Sequence, residues 1–441
     1  MNRLLAFWVQ LFIRWMPDAF AVAILLTLLT FALAMGVAGY SLLATVEAWG
    51  DGFWNLLTFT NQITLTLLFG YALANTPPMQ RGLRAVAGWV NSPRSAYALA
   101  CAATGVLALL SWGLSLVAAG IIARSIGAAC REKGIRIHYP LLVASSFSGF
   151  VIWHQGITSS VGLAIATPGH FLEDQLGLIP TSQTLFTPWN LAVALCVLVL
   201  LPPFMAALRP RRASEIREME PAETVEATPQ DGEAPRTPAQ RIEASWIPAA
   251  LIVLAGAGYL ALHFGGRGLG LELNILNFAF LFAGLTLAGS AIRYANIVIE
   301  GGRVGAPFLL QYPFYAGIAG VIASSGLARM VVDFFVSVST PATLPLFAFF
   351  SAGLLNIFIP SGGGQWAVQG PLVMTAAQEL GADLPRVAMA VALGDQWTNL
   401  VQPLVLMPVL AISGLGARDI MGYTFAALAL TGAIFSLALL F

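Results

Sequence analysis

Charge is scarce in this chain. Asp, Glu, Lys and Arg make up 10% of its 441 residues, whereas 58% are hydrophobic and the mean hydropathy is +0.80. So few charges could not cover a water-soluble globule, so the chain reads as a polytopic integral membrane protein. A formal net charge of zero leaves no footprint for nucleic acid. Cysteine is sparse too: Cys101 and Cys196 lie in apolar runs and Cys130 in a basic loop, with no C-x-x-C spacing. That argues against a metal-thiolate site and a disulfide framework. The phosphate-cradling pattern G-x-x-x-x-G-K-[ST] is absent, which argues against an ATP-driven pump, and no cofactor is expected.

Long apolar runs are abundant. Residues 19–38, 189–208, 247–262, 273–287 and 423–441 are each about long enough to cross roughly 30 Å of hydrocarbon. Before them, residues 1–18 carry Arg3 and Arg14 on an amphipathic stretch, expected to lie as an interfacial helix with the N-terminus cytoplasmic. Basic clusters at Arg81, Arg84 and Arg94, at Arg124, Arg131, Lys133 and Arg136, and at Arg209, Arg211, Arg212 and Arg217 should be cytoplasmic loops. The loops holding Glu47 with Asp51 and Glu173 with Asp174 contain no Lys or Arg and should face the other side. Residues 95–123 then have basic flanks at both ends and Ser111-Trp112-Gly113 at their midpoint. With arms of roughly 15 residues, too short to span, they are expected to form a re-entrant helical hairpin.

The two halves echo one another. A shift of 253 places Glu47, Gly52, Leu56 and Leu57 on Glu300, Gly305, Leu309 and Leu310. A shift of 250 places Ser111, Gly113 and Gly120 on Ser361, Gly363 and Gly370, and one of 245 places Pro140 and Gly149 on Pro385 and Gly394. The expected architecture is all-α, an inverted-repeat transporter with two opposed re-entrant hairpins meeting near the membrane midplane. Its first repeat covers 19–208. A cytoplasmic linker rich in Glu, Pro, Thr and Ala covers 209–245, and an extra span plus the second repeat, with its hairpin at 344–378, covers 246–441.

Non-helical backbone at membrane depth is tolerated where it lines a protein cavity, so the tips mark a binding site. The first turn of a helix offers free N–H groups and a positive dipole end to an anion. Ser111, Trp112 and Gly113 at one tip and Ser361, Gly362, Gly363, Gly364, Gln365 and Trp366 at the other are therefore candidate substrate ligands. The spans that follow are interrupted by WHQGITSS and GDQWTN, which add His154, Gln155, Thr158, Ser159, Gln396 and Asn399. Asp395 is the candidate for ion coupling, by a proton or within a sodium site near Ser111, Asn356 and Asp395. Gln369 and Gln402 either line the cavity or hold helices together. Trp112, Trp153, Trp366 and Trp397 cluster at the breaks and suggest apolar walls. No Lys or Arg falls in these stretches, which favours a small monoanion with an apolar tail over a di- or tricarboxylate. A dicarboxylate or amino-acid-derivative carrier, an anion channel, and a serine hydrolase with Ser361 as nucleophile and His154 as base are the alternatives.

With those residues in view, the chain resembles the bacterial short-chain fatty acid transporter family, within the broader ion transporter superfamily, over nearly its full length. WGDGFWNLLTF (49–59), QYPFYAGI (311–318), NIFIPSGGGQWAVQGP (356–371), GDQWTNLVQP (394–403) and GLGARDIMGY (414–423) carry the resemblance. The family implies uptake of butyrate-like or acetoacetate-like anions across the inner membrane and no enzymatic activity. The superfamily implies a homodimer in which a transport domain carries the hairpins in an elevator-like motion against a scaffold. Gln155, Thr158, Ser159 and Ser160 stand where some relatives are richer in glycine.

Overall fold

A computed structural model describes residues 17–210, 212–219, 237–267 and 270–441. Residues 1–16 of the interfacial helix expected at the N-terminus, and residues 211 and 220–236 of the linker, lie outside the described residues. Among those described there are helices and turns but no strand. Six helices are long and apolar enough to cross a membrane, or seven if one bent pair counts as a single span.

The chain opens with α1 (Ala19–Gly36), then α2 (Leu42–Gly52) and α3 (Leu57–Ala74), which meet at 50° across a short break. Glu47 and Asp51 belong to α2 rather than to the loop expected there. After α4 (Pro77–Ala85) come α5 (Pro93–Leu110) and α6 (Trp112–Glu132), separated by Ser111 alone. The two arms pack on each other, and the Ser115 hydroxyl donates to the Thr104 carbonyl at 3.1 Å across them. They run to 18 and 21 residues. The shortness expected of them is therefore corrected: at about 1.5 Å per residue, length alone does not stop either arm from crossing.

Next come α7 (Tyr139–Ser148), a 3₁₀ segment from Gly149 to Gln155, and α8 (Ser160–Ala164), an interrupted helical stretch; α9 (Glu173–Leu176) and α10 (Pro188–Ala207) complete the first half. The second half begins with α11 (Pro238–Ala244), α12 (Trp246–Arg267) and α13 (Leu273–Ala288), followed by the 35-residue α14 (Ala291–Ser325) and then α15 (Leu327–Val338). The order of the first half then recurs. Two packed arms, α16 (Leu344–Leu355) and α17 (Gly362–Leu380), precede an interrupted span of α18 (Leu384–Thr398), a 3₁₀ turn and α19 (Pro403–Ser413), and α20 (Ala417–Leu440) closes the chain. The match of Gly149 to Gly394 acquires a physical reason. A Cβ on Gly149 would collide with the Cys101 carbonyl of α5, and one on Gly394 with the Phe349 carbonyl of α16, so each glycine lets an interrupted span approach an outer arm.

Two groups of helices hold the cavity described below. Helix α14 packs on α1, α2 and α3, while α5, α6 and α7 pack among themselves and meet α19 and α20. The start of the linker is strapped over the second group. The Tyr139 N–H donates to the Arg217 carbonyl at 2.8 Å, and the Arg217 N–H donates to His138 Nδ1 at 3.0 Å. Arg217 reaches Asp419 at 2.8 Å, and Glu218 pairs with Arg136 at 2.8 Å.

Candidate functional site

Helix α17 starts at Gly362 because Ser361, extended at φ −151° and ψ 112°, turns its hydroxyl back to accept from the Gly364 N–H at 3.4 Å. Three successive glycines cost about 1 kcal/mol each relative to alanine in a helix, so their reason lies in what surrounds them. A Cβ on Gly362 would collide with His154 Nε2; one on Gly363 would lie 2.6 Å from the Tyr312 hydroxyl and one on Gly364 2.8 Å from the Tyr315 ring. The tip is thus seated between the interrupted first-half span and α14. Its first-turn N–H groups at Gly362 and Gly363 have no intrahelical acceptor.

The first tip follows the same plan, with the first donor of its helix occupied. Ser111 caps α6 by accepting from the Leu114 N–H at 3.3 Å, and it is buried against Gly70 of α3, where a Cβ would lie 2.5 Å from its hydroxyl. Gly113 lies close to the Leu67 carbonyl, at 3.1 Å from an added Cβ. The Trp112 N–H is already taken by the Thr158 hydroxyl at 3.0 Å.

Between the tips lies a cavity of about 270 Å³ bounded by Trp112, Trp153, Phe308, Tyr312, Ser361 and Gly362, with Ser160, Gln311 and Asn399 among its polar lining. Trp112 sits 5.8 Å from Trp153 and 6.0 Å from Phe308, ring centre to ring centre. No Lys or Arg lines this space. The indole N–H groups of Trp112 and Trp153 are buried without a partner.

Behind the second tip lies a polar network. The His154 ring stacks on Trp153 at 3.6 Å, its Nδ1 is 3.0 Å from the Ser159 hydroxyl, and its Nε2 is 3.3 Å from Asp395 Oδ2. The His154 N–H donates to Gln396 at 2.8 Å. Both Asp395 carboxylate oxygens are buried without a hydrogen bond, while the Asp395 carbonyl accepts from Asn356 at 2.9 Å and from Asn399 at 2.7 Å.

The structure therefore divides the residues expected from sequence. Trp112, Ser361, Gly362 and Asn399 line the cavity, whereas His154, Ser159, Asp395 and Gln396 form the network behind it. Gln155 donates to the Asn190 carbonyl at 3.2 Å, and Gln365 braces the arms through Ala352 and Gln369. Gln402 reaches the Asn356 carbonyl at 2.6 Å. Trp366 is wholly buried in the core, and Trp397 packs on Phe349 and donates to Leu428, so the expected four-tryptophan wall reduces to Trp112 and Trp153. Ser111 sits against Gly70, not beside the joined Asn356 and Asp395. Among the described residues no group of three or more His, Cys, Asp or Glu could hold a metal. Ser361 bonds to Tyr312 at 2.8 Å and His154 to Ser159, so the nucleophile–base pair of the hydrolase alternative is not formed. Sequence reasoning assigned no role to Phe308, Gln311 and Tyr312, although their spacing on one face of a helix was available within and just before QYPFYAGI.

A family model described as "Short chain fatty acid transporter" matches residues 1–441. A protein of Escherichia coli (strain K12) named "Putative short-chain fatty acid transporter" is 38% identical over 440 residues, covering 99% of both chains. One of the same name from Haemophilus influenzae is 36% identical over 437 residues, covering 97% of each. Among solved structures, the YdaH transporter of Alcanivorax borkumensis superposes with a TM-score of 0.63 at 16% identity, covering 96% of this chain and 97% of its own. MtrF of Neisseria gonorrhoeae, described within a class of antimetabolite efflux pumps, superposes at 0.57 and 15% identity, covering 99% and 96%. At such identities these two establish the fold alone: a multi-pass helical membrane protein.

Proposed function

The chain belongs to the short-chain fatty acid transporter family, and from that premise we propose that it is a secondary carrier taking up butyrate-like or acetoacetate-like monocarboxylates across the bacterial inner membrane. The observation that carries the reading is the cavity: both tips bound it, it is walled by aromatic rings, and it offers unpartnered N–H donors but no cation. A carboxylate can be held there by the Ser361 hydroxyl, the first-turn N–H groups of α17 and the indoles, while its short aliphatic tail lies on Trp112, Trp153 and Phe308. A second carboxylate would find nothing to neutralise it.

The recurring order of elements supports an inverted repeat, with α5–α6 and α16–α17 as the opposed re-entrant hairpins. In this reading α14 and the helices packed on it form the scaffold, and the hairpins with the interrupted spans form the body that moves in an elevator-like step, in a homodimer with its N-terminus cytoplasmic. Asp395, with two unpartnered oxygens beside His154, is the group that answers to the coupling ion. The deciding experiment is uptake of labelled butyrate into proteoliposomes holding only this protein, under separately imposed proton and sodium gradients with unlabelled succinate as competitor. Saturable uptake driven by one gradient and indifferent to succinate is expected; no uptake above protein-free vesicles overturns the substrate.

A further inference from the structure

At the second tip the packing of α17 on α14 ends in a side-chain hydrogen bond laid over a close steric fit. The Tyr312 hydroxyl stands 2.8 Å from the Ser361 hydroxyl, and both residues line the cavity. The fit beneath it depends on missing side chains, since a Cβ on Gly363 would lie 2.6 Å from the Tyr312 hydroxyl and 3.1 Å from Phe59. Tyr312 lies on α14 and Phe59 on α3, which packs on it, whereas Ser361 caps α17, which packs on α14 as well as on α15 and α18. The bond therefore closes the cavity end of the contact between α14 and α17, at the point where a ligand would enter. Ser361 has one hydroxyl proton and two acceptor positions, and one acceptor position already faces the Gly364 N–H at 3.4 Å. A carboxylate, a stronger acceptor than a phenol, would take the Ser361 proton for itself.

We propose that the Tyr312–Ser361 hydrogen bond is an occupancy-sensitive latch, holding the empty second tip against α14 until a carboxylate claims Ser361. Tyr312 is then a positioning residue that competes with the substrate instead of binding it. The latch rests on the carrier reading above and adds to it a reason why an empty site does not slide: the hairpin stays fastened until the bond is exchanged for one to substrate.

Tyr312→Phe removes the phenol oxygen and keeps the ring that packs on Phe59 and Phe308. Two readouts test the latch in the full-length protein. The first needs no substrate: backbone hydrogen exchange of residues 357–366 in the empty protein should speed up in Tyr312→Phe, while exchange in α14 itself stays as in the parent. The second is butyrate binding followed by the fluorescence of Trp112 and Trp153. Loss of one competing hydrogen bond should tighten binding about fivefold, and Tyr312→His, if its ring nitrogen restores the bond to Ser361, should return toward the parent. Weaker binding by Tyr312→Phe would make the phenol a direct ligand and overturn the latch; so would unchanged exchange at the tip. If the parent does not bind butyrate but the tip still loosens in Tyr312→Phe, the substrate assignment fails and the latch stands.

Discussion

The two tips share a plan and differ in what their donors are doing. At each, a serine in extended conformation caps the second arm. At the first, Ser111 is closed against Gly70 and the Trp112 N–H is spent on Thr158. At the second, Ser361 lines the cavity, and the N–H groups of Gly362 and Gly363 have no intrahelical acceptor. A recurring backbone plan thus need not carry the same chemistry: the first tip contributes a tryptophan to the cavity wall, and the second a serine and a glycine.

The largest effect should come from breaking the fit at the open tip. Gly362→Ala drives a methyl group into His154, so uptake into proteoliposomes should fall about a hundredfold or more, consistent with an ångström-scale misplacement of the binding groups. Gly113→Ala meets the Leu67 carbonyl at 3.1 Å, which a small shift relieves, and should keep most of its uptake. Equal loss in both would erase the contrast between the tips.

A smaller difference separates the two serines. Ser361→Ala should weaken butyrate binding about fivefold, the loss of a hydrogen bond to a charged group less the latch it also removes. Ser111→Ala should leave affinity alone but lower stability by about 1 kcal/mol through the lost helix cap, read from the unfolding midpoint in detergent. Thr158→Val removes the partner of the Trp112 N–H with little change of shape. It should cost about 1–2 kcal/mol of stability and leave affinity intact if the first tip is structural.

The smallest effect concerns equivalent helix starts further along. Asp383 caps α18 with its own side chain, accepting from the Arg386 N–H at 3.1 Å. His138 gives α7 no such cap and instead accepts the Arg217 N–H of the linker strap. Burial, followed by the nearby Arg217 charge, pushes the His138 imidazole below its ordinary value; Glu215 and Asp419 oppose this, the Tyr423 ring packs edge-on to the imidazole, and the Tyr97 hydroxyl accepts from the His138 backbone N–H. A histidine held neutral in the docked strap stabilises docking fully above its ordinary value of about 6.5 and less as pH falls through its lowered one. Proteolysis within 212–219 should therefore rise modestly between pH 7.5 and pH 5.5, and His138→Gln should flatten that dependence.

Much of this was legible because it follows from strong local signals. Long apolar runs gave the spans, serine before glycine gave the helix starts at the tips, and near-constant offsets between the halves anticipated the recurring elements. What escaped was set by neighbours distant in sequence. Nothing local separates the tryptophans that line the cavity, Trp112 and Trp153, from Trp366 and Trp397, which pack in the core or on Phe349. The hairpin arms looked short because charge marked their ends, whereas α6 carries Arg124 and Arg131 within the helix. Tyr312 was hidden in a helix whose apolar neighbours are lipid-facing or packed, and only the approach of Gly363 gives its hydroxyl a purpose.

The positions of the partners along the chain also bear on the order of assembly during synthesis. The first tip leaves the ribosome before its closing partner, for Thr158 follows Trp112 by 46 residues. At about 5–20 residues per second the tip waits several seconds with that donor unmatched. The second tip has no such interval: His154, Tyr312 and Tyr315, the surfaces that receive its three glycines, are all translated before it. The three glycines of the second tip thus emerge into surroundings whose receiving side chains already exist.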